Sequence, residues 1–196
     1  MIELEFMLAQ KEDLDNVSAM FTDAINEMNR NGIDQWDSIY PDRNILEDDI
    51  IKKQLYIGLS AGTVVSAYVL NQECDEQYVN GTWKYPNSTY YVIHRLCVNP
   101  IFQNKRIGTL TMLHIENEVR KMGIDTIRLD AFTLNPYAVK MYEKLGYSKV
   151  GFANWRKGKL HIMEKKIKYG KLQFVVELFN IINMIFLLQK CLYKSL

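Results

Sequence analysis

Cysteine is scarce in this chain, and the three present, Cys74, Cys97 and Cys191, are odd in number and far apart. They form no disulfide framework, and no CxxC or Cys/His spacing marks a zinc site. Charge of one sign is missing too. With 24 Lys and Arg against 23 Asp and Glu the formal net charge is +1, which removes the bulk electrostatic case for nucleic acid or an anionic membrane. An anion must therefore be caught by a local arrangement. The opening Met1-Ile2-Glu3-Leu4-Glu5 is acidic and alternating, without the basic and apolar blocks of a signal or transit peptide. A reducing, cytoplasmic setting is the expectation. No internal repeat or low-complexity linker occurs, and 196 residues leave room for one ordinary domain.

Long apolar runs are equally rare. The exception, Leu172 to Leu188, is interrupted by Gln173, Glu177, Asn180 and Asn183, which fall on one narrow helical stripe. Glu177 argues against lipid on every side, which makes a helix packed on a partner subunit the preferred reading over membrane association or a poorly ordered tail. The expectation is a folded domain over residues 1–168 and an apolar helical extension over 169–196, packed on a second copy as a homodimer.

What is present is periodic. Ile2, Leu4, Phe6 and Leu8 alternate as in a half-buried strand. Leu14, Val17, Phe21, Ala24, Ile25 and Met28 share one helical face, which Gly32 ends. Asn44 and Glu47 have capping-box spacing for a shorter helix carrying Ile45, Ile50 and Ile51. Leu55 to Leu59 and Thr63 to Leu70 read as a hairpin turning at Ser60-Ala61-Gly62. Residues 71–88 read as a polar loop, and Tyr90 to Asn99 as a strand stopped by Pro100. A helix follows from Gly108 to Met122, then a strand from Ile124 to Asp130. Asn135-Pro136 opens another helix, closed by Gly146, with Ala138, Met141, Tyr142 and Leu145 inward. Two further strands lie near Tyr147 to Phe152 and Lys159 to Ile167. The order predicts a mixed α/β (α+β) layer, a mostly antiparallel sheet with helices on both faces.

The chemistry is concentrated where the strand ending at Asn99 passes through a polar loop directly into a helix. Helix N-termini carry unpartnered N–H groups and favour anions. Gly108 permits close approach, and Lys105 and Arg106 add charge. The geometry suits a pyrophosphate. The run Gln103-Asn104-Lys105-Arg106-Ile107-Gly108, preceded by Val98 and Pro100, resembles motif A of the GNAT superfamily of acetyl-CoA-dependent N-acetyltransferases, written Q/R-x-x-G-x-G/A. Downstream, Ile127-Arg128-Leu129-Asp130, Asn135-Pro136-Tyr137-Ala138 and Met141-Tyr142-Glu143-Lys144-Leu145-Gly146-Tyr147 resemble its motif B. Element order matches over roughly Ile2 to Ile167. Arg106 stands where the pattern has its first glycine.

The resemblance implies the GNAT fold, a twisted sheet splayed between its fourth and fifth strands. It implies acetyl-CoA as co-substrate, held by the main chain of Leu96, Cys97 and Val98 and by Gln103, Asn104, Lys105, Arg106, Ile107, Gly108, Thr109 and Asn135. Val98 N–H would polarise the thioester carbonyl. Tyr142 matches the tyrosine that protonates the departing thiolate. Many relatives carry a basic glutamate on the fourth strand, and this strand has none. His94, the one group there titrating near neutrality and of the same strand parity as Leu96 and Val98, is the candidate base, with a base acting through water as the other option. Trp36 and Tyr40, between the first two helices, are candidates for the acceptor pocket, where a small-molecule or peptide amine would bind. No metal constellation is visible: Asp48-Asp49 and Glu12-Asp13 read as solvated residues of helix first turns. The expected activity is direct acetyl transfer to a primary amine in a ternary complex. The alternatives are transfer of longer acyl groups, or a non-catalytic module that binds coenzyme A esters, which Arg106 and the missing glutamate favour.

Overall fold

The computed structural model describes residues 3–167, so the apolar extension and its expected self-association lie outside the described residues. The elements are β1 (Glu5–Leu8), α1 (Leu14–Arg30), α2 (Arg43–Ile51), β2 (Leu55–Ser60), β3 (Thr63–Asn71), β4 (Tyr90–Val98), α3 (Ile107–Lys121), β5 (Thr126–Phe132), α4 (Pro136–Lys144), β6 (Ser148–Trp155) and β7 (Gly158–Lys166). They form one seven-stranded sheet in the order β1-β2-β3-β4-β5-β7-β6. Only β4 and β5 pair in parallel; every other neighbour is antiparallel.

Local chemistry explains most of these boundaries. The β2–β3 hairpin turns through Ala61 and Gly62, both at positive φ, as a tight turn between right-twisted strands requires. Gly32, Gly123 and Gly146 follow α1, α3 and α4 at positive φ and end them as C-terminal caps do. Asn135 caps α4 by accepting from Ala138 N–H at 3.2 Å, with Pro136 at the first helical position. α2 differs from expectation. Its cap is Asp42, which accepts from Ile45 N–H at 2.9 Å, not Asn44. Its buried face is Leu46, Asp49 and Ile50, while Ile51 is exposed. Asp49 therefore lies in the second half of the helix and is buried, rather than solvated in a first turn.

Two cores follow. Val17, Phe21, Leu46, Ile57, Val69 and Cys97 fill the space between the sheet and the α1–α2 layer. Met112, Ile115, Ile127, Leu129, Tyr142 and Met163 fill the opposite side, under α3 and α4. Residues 72–89 are not a free loop. They contain a 3₁₀ turn, Glu76–Asn80, that buries Tyr78 against Val92, Val150 and Ile162. Arg128 is sandwiched there, its guanidinium carbon 3.9 Å from the ring centres of both Trp83 and Tyr90.

Candidate active site

β4 and β5 are bonded only where Tyr90–Ile93 face Thr126–Leu129; beyond that register they part. β4 also carries a bulge. Val69 pairs with His94 and Ala67 with Cys97, so two steps on β3 match three on β4, and Arg95 takes φ +50. Asn99 N–H turns to β3, reaching Val65 O at 2.9 Å. Main-chain groups alternate between the two edges of a strand, so Val98 presents its N–H toward the opened β5 side. The splay leaves a row of unbonded main-chain groups beside a gap.

α3 begins at the mouth of this gap. Its cap residue Arg106 has φ +63 and makes no side-chain capping bond, so the first N–H groups of the helix are left without partners among the described residues. Gly108 is needed for packing as well as approach: a Cβ there would stand 3.1 Å from Met141 Sδ and 3.5 Å from Val98 Cγ2. The left-handed backbone explains why glycine would be at home at position 106, since a side chain there costs about 1–2 kcal/mol. Arg106→Gly should leave stability unchanged or raise it by up to about 1 kcal/mol, because relief of strain competes with a more flexible unfolded chain. Urea denaturation measures this, and a loss above 1 kcal/mol would show that the guanidinium holds the loop.

These features meet in a cleft of about 600 Å³. Leu96, Cys97 and Val98 form one wall, with Gln103, Asn104 and Arg106 to Thr109 at one end. Tyr142 and Asn135 contribute from α4 and its cap, and Trp36 from the α1–α2 connection. The Tyr142 ring is buried edge-on against Tyr147, 5.9 Å between centres, and burial raises its phenol pKa above the usual tyrosine range. Its hydroxyl bonds to no described residue. Asn135 spends its carbonyl on the cap and donates its amide to Gln35 Oε1 at 2.9 Å, tying α4 to the α1–α2 connection. Asp34 pairs there with Lys157, and Asp37 with Arg156 at 2.7 Å.

Three expected residues lie outside the cleft. The bulge at Arg95 reverses the alternation, so His94 does not share a face with Leu96 and Val98. Ile93 and Leu96 pack together under α3 and α4, while His94 Nε2 faces Asn71 Oδ1 at 3.0 Å and Glu73 O at 3.1 Å. Burial, with Arg95 nearby, pushes its pKa down to about 4. Two acceptors on Nε2 put the proton of the neutral ring on that nitrogen. Tyr40 is drawn away from the cleft by Arg95, whose Nη1 donates to its hydroxyl at 2.8 Å. Lys105 turns outward, its ammonium 4.8 Å from the centre of the Phe102 ring.

Sequence reasoning placed Asp130 at the end of a motif B segment but gave it no role in the site. It lines the cleft near the end of β5, and Tyr78 Oη donates to its Oδ2 at 2.9 Å. Burial pushes its pKa up to about 6, against the Tyr78 hydrogen bond; Asp75 adds to the rise and Arg95 opposes it. A carboxyl poised near neutrality in a cleft wall is suited to proton transfer. The available signal was alternation in β5: Leu129 and Ala131 face α3 and α4, so Asp130 faces the other way. Among the described residues no group of His, Cys, Asp and Glu has a metal-holding arrangement, and no helix is long and apolar enough to cross a membrane.

The model of the acetyltransferase (GNAT) family matches residues 23–147. No curated protein sequence matches the chain. Among solved structures, a GNAT-family acetyltransferase from Streptococcus agalactiae is 23% identical with TM-score 0.74, covering 87% of this chain and 99% of its own. PaiA N-acetyltransferase from Thermoplasma acidophilum, solved with coenzyme A, is 19% identical with TM-score 0.63, covering 84% and 99%. YncA from Salmonella typhimurium, solved with its cofactor acetyl-CoA, is 14% identical with TM-score 0.60, covering 86% and 96%.

Proposed function

The chain belongs to the acetyltransferase (GNAT) family, and from that premise we propose that it transfers acetyl from acetyl-CoA directly to a primary amine in a ternary complex. The observation that carries this reading is a single cleft shared by the open α3 N-terminus, the unbonded edge of β4, Tyr142 and Asp130. The first N–H groups of α3 suit the pyrophosphate, with Gly108 keeping the approach clear. The free edge of β4 suits the pantetheine arm, which would bind as an added strand does. The co-substrate supplies the activated acetyl thioester.

The remaining chemistry is assigned to the chain's own residues. Asp130 Oδ1, the oxygen not engaged by Tyr78, takes the proton from the acceptor ammonium. Val98 N–H donates to the carbonyl oxygen, where negative charge grows in the transition state. Tyr142 Oη gives its proton to the departing sulfur, and the phenolate takes back the proton that the nitrogen sheds as the amide forms. Trp36, Ile33 and Gln35 line the acceptor end. A carboxyl on β5 meets the need for a base that the missing β4 glutamate left open, and Arg106 adopts the backbone that glycine would. Both features that favoured a non-catalytic module thereby lose weight.

Calorimetry should show binding of acetyl-CoA and desulfo-CoA and none of ATP at comparable concentration. Thiol release from acetyl-CoA should then depend on at least one member of an amine panel containing a diamine, an α-amino acid, an aminoglycoside and peptides with a free N-terminus or lysine. Absence of coenzyme A binding would overturn the reading, and binding without amine-dependent release would leave the sensor in its place.

A further inference from the structure

The segment over residues 72–89 takes no part in the chemistry above, yet it is tied to the sheet along its length. Gln77 Nε2 donates to Asn154 O at 2.6 Å, and Asn154 N–H donates back to Gln77 Oε1 at 2.7 Å. Thr82 N–H reaches Val150 O at 2.7 Å, and Lys84 N–H reaches Glu164 Oε2 at 2.9 Å. At Gly151 a Cβ would stand 2.5 Å from Asn80 O, so the approach requires glycine there. All of this seats Tyr78 in the sheet face with its hydroxyl on Asp130 Oδ2 at 2.9 Å. It is the sole hydrogen bond the Asp130 carboxylate receives among the described residues.

We propose that Tyr78 is a positioning residue for Asp130: it locks one carboxylate oxygen and leaves the other free to take the acceptor proton. The proposal rests on the transferase reading above. One oxygen held by a buried donor restricts rotation about the terminal bond of the side chain, which a lone carboxylate would otherwise explore. Burial and Asp130 itself raise the Tyr78 pKa well above the usual tyrosine range, so the phenol remains a donor at every working pH. The charged and titratable groups facing Asp130 are Asp75 and Tyr78 from this segment, Arg95 from β4 and Tyr142 from α4; β7 pairs uncharged Ile162 against it. Of the two that lower its pKa, Tyr78 is the one in contact.

The test is Tyr78→Phe in the full chain. Carbon-13 NMR of the aspartate carboxyls, with Asp130→Asn identifying the signal, should show the Asp130 midpoint moving up by about one pH unit. The acid limb of kcat/KM for the best amine of the panel should move with it, a loss of about tenfold at pH 5.5, with KM for acetyl-CoA unchanged. An unmoved midpoint overturns the proposal, as does a moved midpoint with an unmoved rate profile. A moved midpoint with no amine turned over in wild type overturns the transferase reading first and the proposal with it. Should Tyr78→Phe fail to fold, the wild-type Tyr78 ring carbon bearing the hydroxyl must titrate with the Asp130 carboxyl near pH 6, and its failure to do so overturns the contact.

Discussion

Replacing Asp130 with asparagine should lower kcat/KM by about 10²–10⁴ while raising stability at neutral pH. The rate loss follows because an amide cannot take the ammonium proton, and general-base catalysis contributes about that factor. In the wild-type protein kcat/KM should fall about tenfold per unit below pH 6, where Asp130 is protonated, and the variant should lack this limb. The stability gain follows from linkage. The folded pKa is raised from 3.8 to about 6, so the folded state holds the proton more tightly than the unfolded chain. The stability this lends is complete below about 3.8 and lost as pH rises through 6. Above 6 the ionised carboxyl costs at most about 3 kcal/mol, and its open side to the cleft reduces that to roughly 1–2. Asp130→Asn removes the cost. Tyr142→Phe should behave differently, with kcat and kcat/KM down together by about 10², acetyl-CoA affinity kept and the pH limb intact. Steady-state rates from pH 5 to 9, paired with denaturant melts at pH 7, measure both. An Asp130→Asn enzyme within threefold of wild type would remove Asp130 from the mechanism.

The largest stability effect is expected at Asp49→Asn, a loss of about 3–5 kcal/mol. Arg95 Nη2 lies 2.6 Å from Asp49 Oδ1, and both side chains are largely buried. Burial holds the Asp49 pKa above the usual carboxylate range, with Arg95 drawing it back. Removing one charge strands the other in a low-dielectric site, which costs far more than the pair contributes. For a domain of this size the melting midpoint should drop by about 10 °C. The double substitution Asp49→Leu with Arg95→Met should recover much of the loss. Among the described residues Asp49 Oδ2 and Arg95 Nε have no hydrogen-bond partner, so the pair is incompletely satisfied. The double variant should still lose activity, because the bulge that turns Val98 toward the cleft is no longer pinned to α2. Thermal melts of the three variants decide the point, and a single-variant loss below 1 kcal/mol would show the pair to be dispensable.

The elements that carry their own instructions were readable in advance. Asn135-Pro136 and Gly146 bound α4 because a cap, a ring-fixed φ and a residue free to take positive φ act within a few positions of each other. Ala61-Gly62 turns its hairpin for the same reason. The loop from Gln103 into α3 was legible because strand period, polar loop and helix period follow in direct succession, and its free N–H groups are a property of any helix start. Even α2 was found, although Asp42 rather than Asn44 caps it, since both residues can cap and only the observed backbone chooses between them.

The sequence by itself thus determined the order of elements, the strand–loop–helix cradle and the placement of Tyr142 on an inward face. Tertiary structure alone decided which groups face the cleft. One extra residue in β4 reverses every side chain beyond it, and whether a bulge forms depends on β3 and on Asp49, 46 positions away from Arg95. That shift removed His94 from the cleft and gave Tyr40 to Arg95. Asp130 gained a pKa near 6 only through burial beside a segment whose Tyr78 is 52 positions distant. Caps and periodicities act over a turn or two of chain and are written locally. Desolvation and register depend on what folds over a residue from elsewhere, and no local pattern records them.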